Sequence, residues 1–244
     1  MGYEILEIVE ESRTKGFISG ALRSTFVELS LKGDKHVYFQ VYSPISLCKF
    51  IYKIITKIIS NRIKPIMVKM ISRVQFGFLA DRQILDAIGV TKKFPHSIKT
   101  RIFDALILKM DLVKAFDGVN MVFLRFVLLQ IGLPFYVKEW IMPCVTSANF
   151  SVLINGSSST FFKSSRGIQH GCILSPLPLL LGIEGLSRLI VKAKREGMMT
   201  SIKSIFVHKL THILFVDDVL LFGNRSFEDW NTFHEFTSLF CEAS

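Results

Sequence analysis

The sequence is poor in cysteine and has no apolar run long enough to cross a bilayer. Its four cysteines, Cys48, Cys144, Cys172 and Cys241, are far apart and form no CxxC pair. A structural zinc site and a disulfide framework are therefore disfavoured, and reduced thiols in an intracellular compartment fit best. The longest apolar stretch, residues 173–183, contains two prolines and is shorter than a transmembrane helix requires.

Targeting signals are equally scarce at the N-terminus. Residues 1–16 are amphipathic and charged, unlike the apolar segment of a secretory signal peptide. Gly2 follows Met1, but position six is Leu, so the N-myristoylation pattern is broken. The sequence therefore predicts neither a secretory signal peptide nor N-myristoylation.

Acidic residues are outnumbered by basic ones. The chain has 30 Lys and Arg against 20 Asp and Glu, a formal net charge of +10 and a pI near 9.5. This excess favours a polyanionic partner, either nucleic acid or an anionic membrane surface, although a basic protein without such a partner is the alternative. With 244 residues, half of them apolar and 22 of them Phe, the chain is long enough for one large domain or two small ones.

Two adjacent acids lie between two apolar runs near the C-terminal end. Asp217 and Asp218 are preceded by residues 213–216 and followed by residues 219–222, and each run has the length of a buried strand. Two such runs joined by a short turn predict a β-hairpin. Carboxylates at its tip repel each other, and a divalent cation would relieve the repulsion because Mg²⁺ takes carboxylate oxygens. A solvated Asp-Asp turn is the alternative.

A third acid ends another strand-like run, residues 105–112. Its even-numbered positions are apolar and share one face, whereas Lys109 and Asp111 fall on the other face. One acid at a strand end and a pair at a hairpin tip suit a two-metal site, in which the ions lie about 3.5–4 Å apart. Asp111 also fits the N-cap of a following helix, and the two roles are compatible.

The order of helical and strand patterns predicts an α+β fold with an antiparallel sheet covered on one face. The clearest helix is residues 46–70, which Pro65 is expected to end or restart. Lys49, Lys53 and Lys57 follow one side of it, as a phosphate-contacting stripe or as a solvated face. The other predicted helices are 3–12, 83–94, 114–131, 134–147, 176–195 and 226–243. The predicted strands are 21–31, 105–112, 150–154, 204–208 and the hairpin 211–223. Asn155-Gly156 predicts a turn that leads from 150–154 into residues 160–162.

Five motifs, in order, resemble the reverse transcriptase of LINE-type (non-LTR) retrotransposons. They are YSPISL (42–47), SNRIKPIM…ISRVQFGFLADRQILDAI (60–88), KMDLVKAFDGVN (109–120), SVLINGSSSTFFKSSRGIQHGCILSP (151–176) and FVDD (215–218). The resemblance implies a right-hand polymerase fold with an antiparallel palm sheet backed by helices. It assigns residues 1–100 to a fingers-like part and residues 101–244 to the palm, and we expect the thumb to be missing.

The resemblance also implies an activity, an RNA-directed DNA polymerase that transfers a nucleotide from a dNTP to a primer 3′-OH. Asp111, Asp217 and Asp218 match its catalytic carboxylates and would hold two Mg²⁺ ions, with Mn²⁺ as the alternative. Phe116 matches the bulky residue that excludes a 2′-hydroxyl. Further implied contacts are those of Arg82, Lys32 and Leu112 with the dNTP, and of Gly167, His170 and Gly171 with nucleotide and template.

The implied partners are an RNA template, a DNA primer and dNTPs, in a nuclear or cytoplasmic ribonucleoprotein without a membrane. Ser43 stands where the family usually has Arg, and His170 stands where it has Gln. A catalytically inactive relic that still binds nucleic acid is therefore the alternative function. Two further alternatives are polymerases of other classes. A viral-type RNA polymerase would have an acid at the position of Phe116, and a maturase-like polymerase would have an appended RNA-binding domain.

Overall fold

The computed structural model describes residues 2–31, 42–79, 82–83, 85–89, 105–112, 115–130, 132–146, 149–164, 167–169, 171–199, 210–224 and 226–243. Its helices are α1 (Gly2–Lys15), α2 (Gly20–Arg23), α3 (Phe50–Met70), α4 (Ala115–Gly118), α5 (Met121–Gln130), α6 (Phe135–Thr146), α7 (Pro176–Arg195) and α8 (Phe227–Ala243). Its strands are β1 (Thr25–Leu31), β2 (Tyr42–Leu47), β3 (Ala105–Asp111), β4 (Asn149–Ile154), β5 (Ser157–Ser158), β6 (Phe162–Lys163), β7 (His212–Phe215) and β8 (Asp218–Asn224). The predicted α+β class is confirmed.

Contacts divide the chain into two compact units, residues 1–63 with 116–178 and residues 64–115 with 179–244. The predicted boundary at residue 100 between fingers and palm stays a prediction, because functional subdomains need not coincide with compact units. Within the described ranges, every helix is too short or too polar to cross a bilayer.

The first unit contains a mixed sheet whose described strands run in the order β2-β1-β4-β5, with β6 also pairing with β4. Strand β1 is antiparallel to β2 and parallel to β4. Asn155 and Gly156 both have positive φ, at 51° and 79°, which is the geometry of the two-residue hairpin turn that the Asn-Gly pair predicts. The indole nitrogen of Trp140 on α6 donates to Ser12 on α1 at 3.2 Å, which links these two helices.

The second unit contains an antiparallel sheet of three described strands in the order β3-β8-β7. Helix α7 lies on one face of it, where the Ser187 hydroxyl bonds the His212 ring at 2.8 Å. Helix α8 lies on the same face, since a side chain at Gly223 of β8 would meet Asp229 at 2.9 Å and Phe233 at 3.0 Å. The prediction of an antiparallel sheet backed by helices is confirmed.

Two predicted helix boundaries are wrong. Helix α3 continues through Pro65 to Met70. Proline removes one helical hydrogen bond, and the burial of Ile63 and Met67 on either side of it offsets that loss in stability. The predicted helix over 114–131 is interrupted after α4. There the Asn120 Oδ1 accepts the N–H of Val122 at 2.8 Å and starts α5 as an N-cap.

Most of the remaining boundaries differ by a few residues, whereas α7 has the predicted bounds. The helix predicted from residue 46 starts at Phe50, because residues 42–47 form β2. Residues 20–23 form α2, so β1 starts at Thr25 rather than at residue 21. The predicted helix over 83–94 is represented by residues 85–89, which are helical, and its last residues lie outside the described ranges. The predicted strand over 204–208 also lies outside them.

Candidate catalytic carboxylate site

Asp111 and Asp218 lie directly opposite each other where strands β3 and β8 pair. Directly paired residues of antiparallel strands project from the same face, with Cβ atoms about 4.5–5.5 Å apart. The Asp111 side chain is exposed, as its position opposite the apolar set predicts. The sheet therefore presents two carboxylates from distant parts of the sequence side by side.

Asp217 occupies the two-residue turn between β7 and β8. Its backbone carbonyl accepts the N–H of Leu112, the residue that follows Asp111, at 3.0 Å. In the structure the Leu112 N–H holds the turn, and the predicted contact of Leu112 with the dNTP stays a prediction. The end of β3 and the hairpin turn are thus held together, which brings the third acid to the same end of the sheet.

The Lys109 side chain forms an ion pair with one of the three acids, Asp218. Its Nζ is 2.9 Å from Asp218 Oδ1, and Lys109 projects from the same face as Asp111, two residues further along β3. The pKa of Lys109 is raised, first by its hydrogen bond to Asp218 and the charge of that carboxylate, then by the charges of Asp111 and Asp217. The negative charges of all three acids therefore favour the protonated form of this one side chain.

The donor set fits divalent cations. Carboxylate oxygens are the ligands that Mg²⁺ takes in proteins, and one of them, at Asp218, is paired with the Lys109 ammonium. Within the described ranges, no group of three His, Cys, Asp or Glu side chains already has the arrangement of a metal site. A metal at Asp218 would therefore compete with the Lys109 ammonium.

Arg82 caps the C-terminal end of α3 and the turn after it. Its two terminal nitrogens donate to the carbonyls of Val68, Ile71, Ser72 and Gln75 at 2.6 to 3.2 Å. Four of the five N–H donors of a guanidinium are then occupied. Burial lowers the pKa of Arg82. The structure thus gives Arg82 a backbone-capping role, and the predicted contact with a triphosphate stays a prediction.

Phe116 and the predicted nucleotide loop belong to the first unit and are joined there. The Phe116 carbonyl accepts the N–H of Ile168 at 2.7 Å, and the Val119 carbonyl accepts the N–H of Gly167 at 3.2 Å. The Phe116 side chain is partly exposed on helix α4. The predicted sugar-selecting residue is therefore held to the loop that is predicted to contact the nucleotide.

The two loop glycines are required by the backbone. Gly167 and Gly171 have φ of 86° and 75°, values that residues with side chains rarely adopt. A Cβ at Gly171 would also lie 2.9 Å from the carbonyl oxygen of Ser46. The other predicted ligand-contacting residues, Lys32 and His170, lie outside the described ranges.

A buried polar chain lies beneath the acid-bearing sheet. Glu184 on α7 accepts the N–H and the hydroxyl of Ser72, at 3.0 and 2.9 Å. The Ser72 hydroxyl meets that of Ser187, and Ser187 bonds His212, each within 2.9 Å. The His212 ring also bonds the Thr211 hydroxyl at 2.9 Å. Because these polar groups are hydrogen-bonded to one another, their network holds α7 against β7.

Sequence reasoning missed two residues at this site. Period two already places Lys109 on the face of Asp111, and a basic residue two positions from a strand-end acid is a signal that could have identified it. Gln75 contacts the acidic turn from 141 residues away, and it has no periodic pattern of its own. Such a long-range contact leaves no local signal in one sequence.

Comparisons with known proteins identify the family. The family model described as reverse transcriptase (RNA-dependent DNA polymerase) matches residues 32–240. A curated relative is the uncharacterized 149 kDa protein of transposon TX1 from Xenopus laevis, 27% identical over 193 residues, which are 79% of this chain. The chain spans 15% of the length of that relative.

Solved telomerase structures share the fold. One, from Candida albicans in complex with the TWJ fragment of telomeric RNA, superposes with a TM-score of 0.61 at 11% identity, covering 95% of this chain and 43% of that chain. The other is apo telomerase from Candida tropicalis, truncated from the C-terminal domain. It gives a TM-score of 0.55 at 12% identity, covering 91% of this chain and 47% of that one.

Three findings lead to the same assignment. They are the carboxylates on adjacent strands, the antiparallel sheet backed by two helices and the span of the family match. The resemblance in the sequence motifs and the predicted polymerase fold are thereby confirmed. Members of this family generally use divalent metal ions, in accord with the carboxylate donors described above. The chain belongs to the reverse transcriptase (RNA-dependent DNA polymerase) family.

Proposed function

We propose that this chain is the RNA-directed DNA polymerase domain of a non-LTR retrotransposon, and that Asp111, Asp217 and Asp218 carry its nucleotidyl transfer. The observation that carries the proposal is that Asp111 and Asp218 pair directly across β3 and β8, while the Leu112 N–H binds the Asp217 carbonyl at the same end of the sheet. The family match supports the chemistry, and similarity to the TX1 transposon protein supports the origin from such an element.

In this proposal the paired strands hold the acids ready for cation binding. Asp111 and Asp218 present oxygens from neighbouring strands, and Asp217 presents its own from the turn that Leu112 holds. Two divalent ions held by these carboxylates would supply positive charge to the triphosphate and to the primer 3′-oxygen. A metal ion at Asp218 would displace the Lys109 ammonium, which pairs with that carboxylate at 2.9 Å.

Selection of deoxynucleotides is proposed for Phe116. A ring at this position leaves no room for a 2′-hydroxyl, so a ribonucleotide would be rejected by steric overlap. The hydrogen bond from Ile168 to the Phe116 carbonyl supports this assignment, because it fixes the start of α4 relative to the loop of Gly167.

The nucleic-acid partners in the proposal are an RNA template and a DNA primer. The net charge of +10 favours them. Lys53 and Lys57 on α3 are exposed, so they are accessible to phosphates, whereas Lys49 donates to the Ala21 carbonyl at 2.6 Å. Gly167 and Gly171, with His170 between them, are proposed to place nucleotide and template. Lys32 and Arg82 are proposed to neutralise the triphosphate.

Primer extension on an RNA template with dNTPs and Mg²⁺ tests the proposal. The parent chain is compared with Asp217→Asn and with Glu196→Gln. The latter removes one negative charge from an exposed carboxylate that pairs with Lys192 on α7. Circular dichroism first establishes that all three proteins are folded. We expect extension by the parent and by Glu196→Gln, and none by Asp217→Asn.

Two outcomes contradict the proposal in different ways. Extension by Asp217→Asn at the parental rate would show that the carboxylate site is wrongly assigned. A folded parent that extends no primer yet retains RNA in a filter-binding assay would favour the alternative function, an inactive relic that binds nucleic acid.

A further inference from the structure

The buried side chain of Gln75 contacts the turn that carries the acid pair. Gln75 is only 1% exposed. Its Oε1 accepts the N–H of Val216 at 3.2 Å and the N–H of Gly77 at 2.9 Å. One carboxamide oxygen therefore joins the chain before β3 to the residue that immediately precedes Asp217.

The Val216 backbone needs this support. Its φ is +56°, a left-handed value that β-branched residues rarely adopt. At the first position of a two-residue hairpin turn, such a φ normally belongs to glycine. The Gln75 oxygen satisfies the Val216 N–H in this conformation. Because Asp217 and Asp218 follow directly, the backbone at Val216 sets the direction in which their carboxylates leave the turn.

Residues 74–77 pack closely on the same turn. Gln75 forms a parallel bridge with Leu214 of β7, flanked by hydrogen bonds of 2.8 Å from Leu214 to Val74 and 2.9 Å from Phe76 to Leu214. A Cβ at Gly77 would overlap the Val216 Cγ2 methyl and lie 3.0 Å from the Val216 nitrogen. Only glycine at position 77 lets this segment approach the turn.

A purely structural role fits Gln75 less well. Its Nε2 is buried and has no hydrogen-bond partner among the described residues. Leaving a buried donor unpaired opposes folding, and an apolar side chain of the same size would avoid that penalty. The feature that a carboxamide adds here is the acceptor oxygen on Val216 and Gly77.

We propose that Gln75 is a positioning residue for the Asp217–Asp218 pair: it fixes the turn at Val216 and so keeps both acids at the end of the sheet where Asp111 lies, from which the three would bind a metal ion. The inference rests on the proposed function, because it takes these acids as metal ligands. Gln75 acts through the backbone of the turn and does not itself contact substrate. Gly77 contributes to the same positioning of the turn, since its lack of a side chain makes the contact with Val216 possible.

Mn²⁺ binding, followed by electron paramagnetic resonance of the free ion, tests this role without any need for turnover. Gln75→Met keeps the length of the side chain and removes the acceptor. We expect Gln75→Met to weaken Mn²⁺ binding by about 10- to 100-fold, the range seen when a residue that orients metal ligands is lost. Ser151→Ala is the control. It breaks the hydrogen bond of 2.8 Å from the Ser151 hydroxyl to the Ser159 carbonyl in the first unit, and we expect unchanged Mn²⁺ affinity.

A second pair of variants covers the case in which Gln75→Met does not fold. Gly77→Ala places a methyl against the Val216 side chain, and we expect the Mn²⁺ affinity to fall. Adding Val216→Gly removes the obstructing methyls and relieves the left-handed φ, so the double variant should regain most of that affinity. Recovery in the double variant is specific to contact between residues 77 and 216.

The outcomes separate the inference from the function on which it rests. Folded Gln75→Met and Gly77→Ala variants with parental Mn²⁺ affinity, beside an Asp217→Asn variant that has lost the site, would overturn the positioning role alone. Parental Mn²⁺ affinity in Asp217→Asn would overturn the metal-site assignment and the inference together.

Discussion

Lys109 and Asp218, which belong to neighbouring strands, form an ion pair of 2.9 Å at the end of the sheet where the acids meet. The pair is exposed, with side chains 65% and 44% accessible, so it contributes little to stability. Its position matters more than its strength, because a metal ion bound by Asp218 would compete with the Lys109 ammonium for that carboxylate.

Removing the Lys109 charge is therefore expected to tighten cation binding. Lys109→Met should lower the Mn²⁺ dissociation constant by roughly fivefold, since a like charge a few ångströms away is lost. Thermal unfolding should be unchanged. Lys192→Met, which breaks the exposed pair with Glu196 on α7, is the control and should leave Mn²⁺ binding as it is. Weaker Mn²⁺ binding in Lys109→Met would instead make Lys109 a supporting part of the site.

Phe116 offers a test of sugar selection. Phe116→Val should reduce the preference for dNTP over rNTP by about 10- to 200-fold, the range that steric fit in a pocket can supply. Single-nucleotide incorporation with matched dNTP and rNTP measures the ratio. Phe126→Val, at an exposed position on α5, should keep the parental ratio. An active Phe116→Val protein with unchanged selectivity would remove Phe116 from this role.

The thiols should differ sharply in reactivity. Cys48, Cys144 and Cys172 are buried and free, whereas Cys241 is exposed on α8. Burial raises the pKa of the Cys48 thiol to about 11 and that of Cys144 well above its ordinary value, so little thiolate forms at neutral pH. We expect one equivalent to react with a thiol reagent in the native protein and four in urea.

Mass spectrometry of the labelled native protein identifies the reactive position. Cys241→Ser should abolish the fast phase and leave three slow thiols. A second fast thiol in the folded parent would contradict the buried placement of the other cysteines.

His212 should make the fold sensitive to acid. Burial, helped by the charge of Lys194, lowers its pKa from 6.5 to about 4 in the folded state. The unfolded chain binds a proton below about pH 6.5 while the folded chain does not, so the stability that His212 contributes is complete above that pH. It is lost as the pH falls toward 4. The shift corresponds to about 3 kcal/mol in the free energy of unfolding.

Urea unfolding at pH 7.5 and pH 4.5 measures this loss, and His212→Gln isolates it. The difference in unfolding free energy between the two pH values should shrink in His212→Gln. His234→Gln, at an exposed position on α8, is the control and should retain the parental difference. An equal pH dependence in His212→Gln and the parent would show that other groups control acid stability.

Local signals predicted the fold well where they were strong. Helix α7 has the predicted bounds, since Pro176 starts it and Gly197, with φ of 75°, lies just beyond its last turn. The hairpin of β7 and β8 was predicted from two apolar runs around an acid pair. The break before α5 was missed because Asn120 stands inside an apolar periodic pattern, and only its capping bonds show that it separates two helices.

The acidic residues of the candidate site were predictable from the sequence, whereas the residues that support the turn and the helix end near them were not. Asp111 lies on the predicted face because strand periodicity fixes it. The capping role of Arg82 depends on where the end of α3 comes to lie, and the turn contact of Gln75 depends on a pairing across 141 residues. Such long-range contacts have no signature in local sequence.

The acidic hairpin of β7 and β8 inserts between two segments that are synthesised well before it, β3 and residues 74–76. Strand β8 pairs with β3 on one side, and β7 pairs with residues 74–76 on the other. Until the hairpin has formed, both segments present unpaired backbone edges, which are sites for wrong strand pairing. Because the contacts of the hairpin span more than a hundred residues, we expect its insertion between the two segments to be slow. A nascent chain halted before residue 211 would thus be both inactive and prone to aggregate.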